Sequence, residues 1–388
     1  MKRLVLYTDM ASVYGAEQIT HALALGFVRS GWQVTVAQPR ASHRLVDEQA
    51  RAGVAHRWLA PDLLWDASRP ARMLTDHDEP AQVMDETRPD LVVFSDGAPM
   101  SNLTAKEVAA ARGFPYVVLC HCVTPAWAGL FARAVARLPA AFARARAVVA
   151  VSQENLDLLR RHFGLAEQSG MVVHNGRPDA FFAPRSSSVR RRVRDELGLP
   201  AGAVVAITVG RLDLVKGYQY QVAAFKHLRD SPAWRSLRFV WVGDGTLAGQ
   251  LRGMTERLRM DDRVRFLARR DDVPDLLDAA DLFVLPSLFE GMPLAILEAM
   301  AKRLPVIATA VSGTPEALAD TGCLLPPPRG DAAFPQALAA AIARLAQDAA
   351  ERERLGTAAY LRADSCFRES RMVERYLRLA DEAIGVTA

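Results

Sequence analysis

Lysine is scarce in this 388-residue chain: of 48 basic residues only Lys2, Lys106, Lys216, Lys226 and Lys302 are lysine, so a lysine inside a motif is less easily put down to composition. Net charge is small too, 48 basic against 44 acidic residues, or +4, which does not by itself predict a nucleic-acid partner. The four cysteines, Cys120, Cys122, Cys323 and Cys366, show no disulfide framework and fit a reducing compartment. No stretch approaches the ~20 apolar residues of a membrane helix. The basic start MKRLVLYTD has too short an apolar stretch for a signal peptide, and Asp9 interrupts it. The expectation is a mature, soluble, cytoplasmic protein. With 50% hydrophobic and 24% charged residues, the chain is neither disordered nor fibrous. At about 150 residues per domain, its length suggests two or three domains.

Short apolar runs alternate with helix-like stretches. Leu4–Tyr7, Val34–Ala37, Leu91–Phe94, Tyr116–Leu119 and Val148–Val151 read as buried strands, and so do Val204–Val209, Phe239–Val242, Val264–Phe266, Leu282–Leu285 and Val306–Ala308. This alternation predicts parallel sheets covered by helices on both faces. It breaks between Asn175 and Gly202, where NGRPDAFFAPRSSS has turn chemistry and VRRRVRDELGLP reads as a helix. We therefore expect two doubly wound α/β domains, residues 1–180 and 181–365, facing across a cleft, with a C-terminal helix in 366–388 packing back on the first. Such sheets bind ligands beyond the carboxyl ends of their strands. The tract CLLPPPRG reads as a rigid local turn.

The richest segment is LFVLPSLFEGMPLAILEAM, Leu282–Met300. A strand ends at Pro286, a loop carries Glu290 and Gly291, and Pro293 suits the first turn of a helix. Glu298 then stands among apolar residues, where a carboxylate needs a partner. The amides of Gly291, Met292 and Leu294 lie at the positive helix end and suit phosphate or sugar oxygens; glycine at 291 permits close approach. A strand–helix junction whose Glu298 caps a neighbouring loop explains the same residues. In VGRLDLVKGY, Arg211 and Lys216 share a loop after the first strand of the second half. A planar fork and a mobile point charge suit a diphosphate, and a solvated charged loop is the alternative.

Taken together, these residues resemble the retaining glycosyltransferase family 4, of the GT-B fold. Glu290 and Glu298 match its E-x7-E signature, and GRLDLVKG matches its GRL-x-x-x-KG segment. VVHNGR, VSGTPE and SVYGAEQ resemble its interdomain N-G turn, its G-G-x-P-E loop and its first-domain G-G-A-E turn. The resemblance covers most of the chain in the expected order. It implies that Arg211 and Lys216 hold the donor diphosphate, Glu298 binds the ribose, Glu290 faces the transferred sugar, and Gly291, Met292, Pro293 and Leu294 contact sugar and phosphate. Gly15 and Ala16 would close over the diphosphate, His121 would reach sugar or acceptor, and the backbone at Ala268 and Arg269 would meet the base. Tyr14, Ser312 and Ala268 stand where the family usually has glycine. The implied activity is transfer of a sugar, with retention, from a UDP- or GDP-linked donor to a hydroxyl of a glycan, glycolipid or small molecule, without cofactor or metal. The family setting is cell-surface polysaccharide or glycoconjugate synthesis.

Other readings compete. A nucleotide-sugar epimerase of the same fold, or a non-catalytic nucleotide-sugar binder, would share the donor site. An NAD-dependent oxidoreductase would need a G-x-G-x-x-G that TDMASVYGAEQ lacks. Asp76-His77-Asp78 is a formal D-x-D but follows no strand. Cys120-His121-Cys122 cannot converge on a metal from alternating faces of a strand. The basic run Arg190–Arg194 reads as a solvated helix face. From Pro125 to Val149, Trp127, Leu130, Phe131 and Leu138 mix with Arg133, Arg137, Arg144 and Arg146. That pattern suits either an ordinary amphipathic helix or peripheral contact with the inner face of an anionic membrane carrying a lipid-linked acceptor.

Overall fold

The computed structural model describes residues 1–60, 71–260, 262–328, 330 and 333–385. The backbone divides into two compact units, Met1–Gly176 with Glu369–Ala388, and Arg177–Arg368. The first unit holds β1 (Arg3–Thr8), β2 (Gln33–Pro39), β3 (Ala55–Leu59), β4 (Leu91–Asp96), β5 (Tyr116–Cys120), β6 (Ala147–Ala150) and β7 (Met171–Val172), in the order β3-β2-β1-β4-β5-β6-β7. The second holds β8 (Val204–Val209), β9 (Leu237–Val242), β10 (Val264–Leu267), β11 (Leu282–Leu285), β12 (Val306–Thr309) and β13 (Cys323–Leu325), in the order β10-β9-β8-β11-β12-β13. Every pairing in both sheets is parallel. Each chain segment starts at an inner strand, winds to one edge and returns on the other side. The winding reverses between β1 and β4 in one sheet and between β8 and β11 in the other.

Uniform apolarity explains the inner strands, because helices cover both faces. Leu4, Val5 and Leu6 lie in register between β2 and β4 and are all buried. Burying side chains of this size contributes roughly 1.5–3 kcal/mol each. In the second unit Trp241 anchors the core, its ring 5.1 Å from both Tyr218 and Phe266. The helix Leu294–Ala301 is buried nearly all round.

Three strands lie outside the sequence expectation. β3 (AHRWL) carries charge and no continuous apolar run, β7 is two residues long, and Cys323–Leu325 pairs with β12 at the sheet edge. The CLLPPPRG tract is thus an edge strand before its prolines, not only a turn. The division between units falls at Gly176/Arg177 and Arg368/Glu369 rather than at 180 and 365. The reason is local: the Arg177 amide donates to the Phe367 carbonyl at 2.8 Å, which ties the entry and exit of the second unit together. The final helix, Glu369–Ala383, belongs to the first unit and buries Met372, Val373, Tyr376 and Ala380. It packs on the helix Gly15–Arg29, where a side chain at Gly26 would overlap Val373.

The segment from Pro125 to Val149 is not one amphipathic helix. It forms three short ones, Ala126–Leu130, Ala132–Val135 and Leu138–Arg144, and then β6. Leu138 and Phe142 are buried, Trp127 and Phe131 pack against the first unit's core, and Arg137 pairs with Glu107. Leu130 stays exposed, as do Arg133, Arg144 and Arg146. No helix among the described residues is long and apolar enough to cross a membrane.

Candidate active site

The loops that follow β8, β9, β10, β11 and β12 gather at the carboxyl end of the second sheet, where the winding reverses between β8 and β11, the position at which such sheets bind ligands. Lys216 ends a short helical turn after β8, and its amide donates to Asp213 Oδ1 at 3.2 Å. Gly217 follows with φ +73, and a side chain there would overlap the Pro286 carbonyl. Only glycine lets the two loops meet so closely. The Leu288 amide donates to the Val215 carbonyl at 2.7 Å and fixes them together.

This closure sets the main feature of the site. The Lys216 ammonium lies 2.7 and 2.8 Å from the two carboxylate oxygens of Glu290. Glu290 is 7% exposed and Lys216 19%. Ser287 Oγ donates to Glu290 Oε1 at 2.6 Å, and the Glu290 amide donates to Ser312 Oγ at 3.3 Å. Ser312 has φ +47, in the left-handed region, and the adjacent Gly313 amide donates to the Gly291 carbonyl at 3.0 Å. The loop after β12 thus straps the Glu290–Gly291 loop in place.

Arg211 is half-exposed and pairs with Asp213 at 3.1 Å. The turn Gly243–Gly245 backs this loop: the Leu212 amide donates to the Asp244 carbonyl at 2.9 Å, and the Arg269 amide donates to Asp244 Oδ2 at 3.1 Å. Side chains at Gly243 or Gly245 would overlap the carbonyls of Gly210 or Leu212. Ala268 and Arg269, both exposed, are thereby tied to the Arg211 loop. Pro293 caps the helix Leu294–Ala301 rather than sitting in its first turn; its carbonyl accepts from the Ile296 and Leu297 amides at 3.1 and 3.3 Å. Gly291 is partly buried, and Met292, Pro293 and Leu294 are buried.

Glu298 has a partner of its own. Arg177 Nη2 lies 2.7 Å from its Oε1, and both side chains are under a tenth exposed. Burial pushes the Glu298 carboxyl above its ordinary pKa, and Arg177 opposes that shift.

Gly15, Ala16 and His121 belong to the first unit. Gly15 and Ala16 open the helix Gly15–Arg29, with Tyr14 as its cap. His121 follows β5, its Nε2 hydrogen-bonded to Ser95 Oγ at 2.8 Å. Burial lowers its pKa to about 3, which keeps the imidazole neutral. Asp76, of the D-x-D, pairs with Arg72 and accepts the Asp78 amide at 2.9 Å. Cys120 is buried and Cys122 partly so. No group of three or more potential metal ligands occurs among the described residues.

Sequence reasoning missed four contributors. Asp244 could be found from G-D-G after a strand, and Ser287 from its place three residues before Glu290. Ser312 was noted only as a departure from glycine. Arg177 had no signal of its own, although Glu298 required a partner. Chemically, a cation pair and backbone donors at a sheet's switch point can hold a diphosphate.

Comparison with known proteins identifies the family. Residues 13–181 match the model described as Glycosyltransferase Family 4, and residues 203–348 that described as Glycosyl transferases group 1. A D-inositol 3-phosphate glycosyltransferase of Corynebacterium glutamicum (strain R) is 34% identical over 218 residues, 54% of this chain and 51% of the relative. A 2-deoxystreptamine N-acetyl-D-glucosaminyltransferase of Streptomyces fradiae is 32% identical over 294 residues, 70% of this chain and 66% of the relative. The chain spans about half or less of the first few curated relatives it matches. Among solved structures, Anabaena HepE in complex with UDP superimposes with a TM-score of 0.81 at 21% identity, covering 98% of this chain and 100% of HepE. The fold is therefore GT-B, built of two Rossmann-like units, and the chain belongs to glycosyltransferase family 4, among the group 1 glycosyl transferases.

Proposed function

We propose that this protein transfers a hexose from a UDP- or GDP-linked donor to a hydroxyl of a glycan, glycolipid or small-molecule acceptor, retaining the anomeric configuration. The observation that carries this reading is the Lys216–Glu290 pair, with Lys216 at 2.7 and 2.8 Å from the two carboxylate oxygens at the sheet's switch point. On binding, the donor diphosphate takes up Lys216 and Arg211, while Glu290 turns to the hydroxyls of the sugar. Breaking the bond between the anomeric carbon and the phosphate oxygen builds negative charge on the diphosphate. Fixed cations and helix-end amides stabilise that charge, so no metal is needed. The acceptor oxygen bonds to the anomeric carbon on the same face, and its proton passes to the leaving phosphate oxygen. Glu298 accepts the ribose hydroxyls, and the backbone at Ala268 and Arg269 meets the base. HepE has been solved with UDP, and the two relatives above are named as sugar transferases, which favours this class over an epimerase. We place the work in the cytoplasm, in cell-surface polysaccharide or glycoconjugate synthesis.

The test is calorimetric titration with UDP, GDP, ADP, dTDP and NAD in EDTA, followed by product analysis with and without acceptor. Tight binding of UDP or GDP and an α-linked product from an α-linked donor are expected. Binding of NAD alone, or an epimerised donor without acceptor, would overturn the reading.

A further inference from the structure

Arg177 opens the second unit, and the mechanism above gives it no task. Its guanidinium carbon stands 4.8 Å from the centre of the Phe181 ring. Its amide is fixed on the Phe367 carbonyl at 2.8 Å. One arm, Nη2, meets Glu298 Oε1, while Nε is buried and has no acceptor. A fork that can grip both oxygens of a carboxylate with two parallel bonds thus makes its closest contact with Glu298 at Oε1, and its Nε takes no part.

A buried ion pair is a weak way to stabilise a fold, because apolar residues of similar size pack as well without the desolvation cost. Here both charges are kept, although the helix that carries Glu298 is otherwise apolar. Without a cation, a carboxyl buried like Glu298 takes up a proton. It would then accept more weakly from the ribose hydroxyls than a carboxylate does.

We propose that Arg177 is a positioning residue for nucleotide recognition, holding Glu298 by Oε1 so that Oε2 is presented, ionised, to the ribose hydroxyls. This rests on the reading of Glu298 as the ribose contact. This role asks Arg177 to act through Glu298 and not on the sugar or the reacting atoms.

The experiment compares UDP or GDP, whichever binds, with its 2′,3′-dideoxy counterpart. Calorimetry is run on the wild type, Glu298→Ala, Arg177→Met and Arg177→Lys. The wild type should favour the ribonucleotide by about ten- to a hundredfold, the span of a charged hydrogen bond. Glu298→Ala should erase that preference. Arg177→Met should erase most of it by weakening the ribonucleotide alone, leaving the dideoxy form bound as in the wild type, and Arg177→Lys should restore part of it. A purely structural role would weaken both nucleotides together, and that result overturns the proposal. So does a full preference in Arg177→Met when Glu298→Ala has lost it. A full preference in Glu298→Ala instead overturns the ribose reading itself. If the Met variant does not melt cooperatively, Arg177→Gln carries the same comparison with the same outcomes.

Discussion

Replacing Lys216 by methionine keeps an unbranched apolar stem, one atom shorter, and removes its charge. In the free protein the ammonium faces both oxygens of Glu290, which is 7% exposed and otherwise receives the Ser287 hydroxyl. Loss of a partner from a fully buried pair costs roughly 3–5 kcal/mol. Lys216 is 19% exposed, and water can reach the vacated space, so we expect about 1–3 kcal/mol of lost stability. The Glu290→Gln and double variants close the cycle, and their coupling should be of the same size. The diphosphate loses a charged contact as well, which predicts about ten- to a hundredfold weaker binding of UDP or GDP. Turnover should fall further, by about two to three decades, because charge on the leaving group develops only in the transition state. Urea unfolding, calorimetry and initial rates measure the three effects separately. Unchanged diphosphate affinity together with zero coupling would falsify the assignment of Lys216 to the donor site.

Glu290→Gln should bind bare UDP or GDP at least as tightly as the wild type, because Lys216 is released from its carboxylate partner, yet turn over poorly; normal rates would remove Glu290 from the catalytic set. Gly217→Ala should lose about 3 kcal/mol in urea unfolding, since φ +73 and the overlap with the Pro286 carbonyl act together. A shift within error would mean that the two loops do not pack as described. His121 has a pKa of about 3 in the fold against an ordinary 6.5. The unfolded chain therefore binds a proton first as pH falls, and stability is lost between those two values, by up to about 1.4 kcal/mol per pH unit. His121→Gln should flatten that loss relative to the wild type, whereas equal slopes would show an imidazole that is not buried. Vesicles containing anionic lipid, at low salt, should bind through Leu130 with Arg133, Arg144 and Arg146 if a lipid-linked acceptor is used. Failure to co-sediment removes the membrane contact.

Much of this architecture was legible because the inner strands are continuous apolar runs, and LVVF, VAITV and LFVL need no context to be read. Strands at sheet edges were not. AHRWL gains its place from pairing with β2, and CLL from pairing with β12, neither of which a local pattern encodes. Of the charged loop residues, Lys216 stood out against an arginine-rich composition, and Arg211 and Glu290 by a familiar spacing. The contact of Lys216 with Glu290, 74 positions apart, follows only from the strand order that sets β8 beside β11. For Glu298 the sequence stated a demand, a carboxylate among apolar residues, without naming the supplier. Arg177 lies 121 positions earlier (298 minus 177) and reaches it through tertiary packing.

The bond between the Arg177 amide and the Phe367 carbonyl has a further consequence. The second unit enters and leaves the chain at neighbouring points, so it is a complete module inserted into another. Its ends are already joined, and grafting it into a different host should therefore demand little extra closure entropy. Recombination that exchanged residues 177–368 as one block would carry the whole candidate donor site of that unit, Arg177 and Glu298 included, to a new host. A crossover placed at 180 would leave Arg177 behind and deliver Glu298 without its cation.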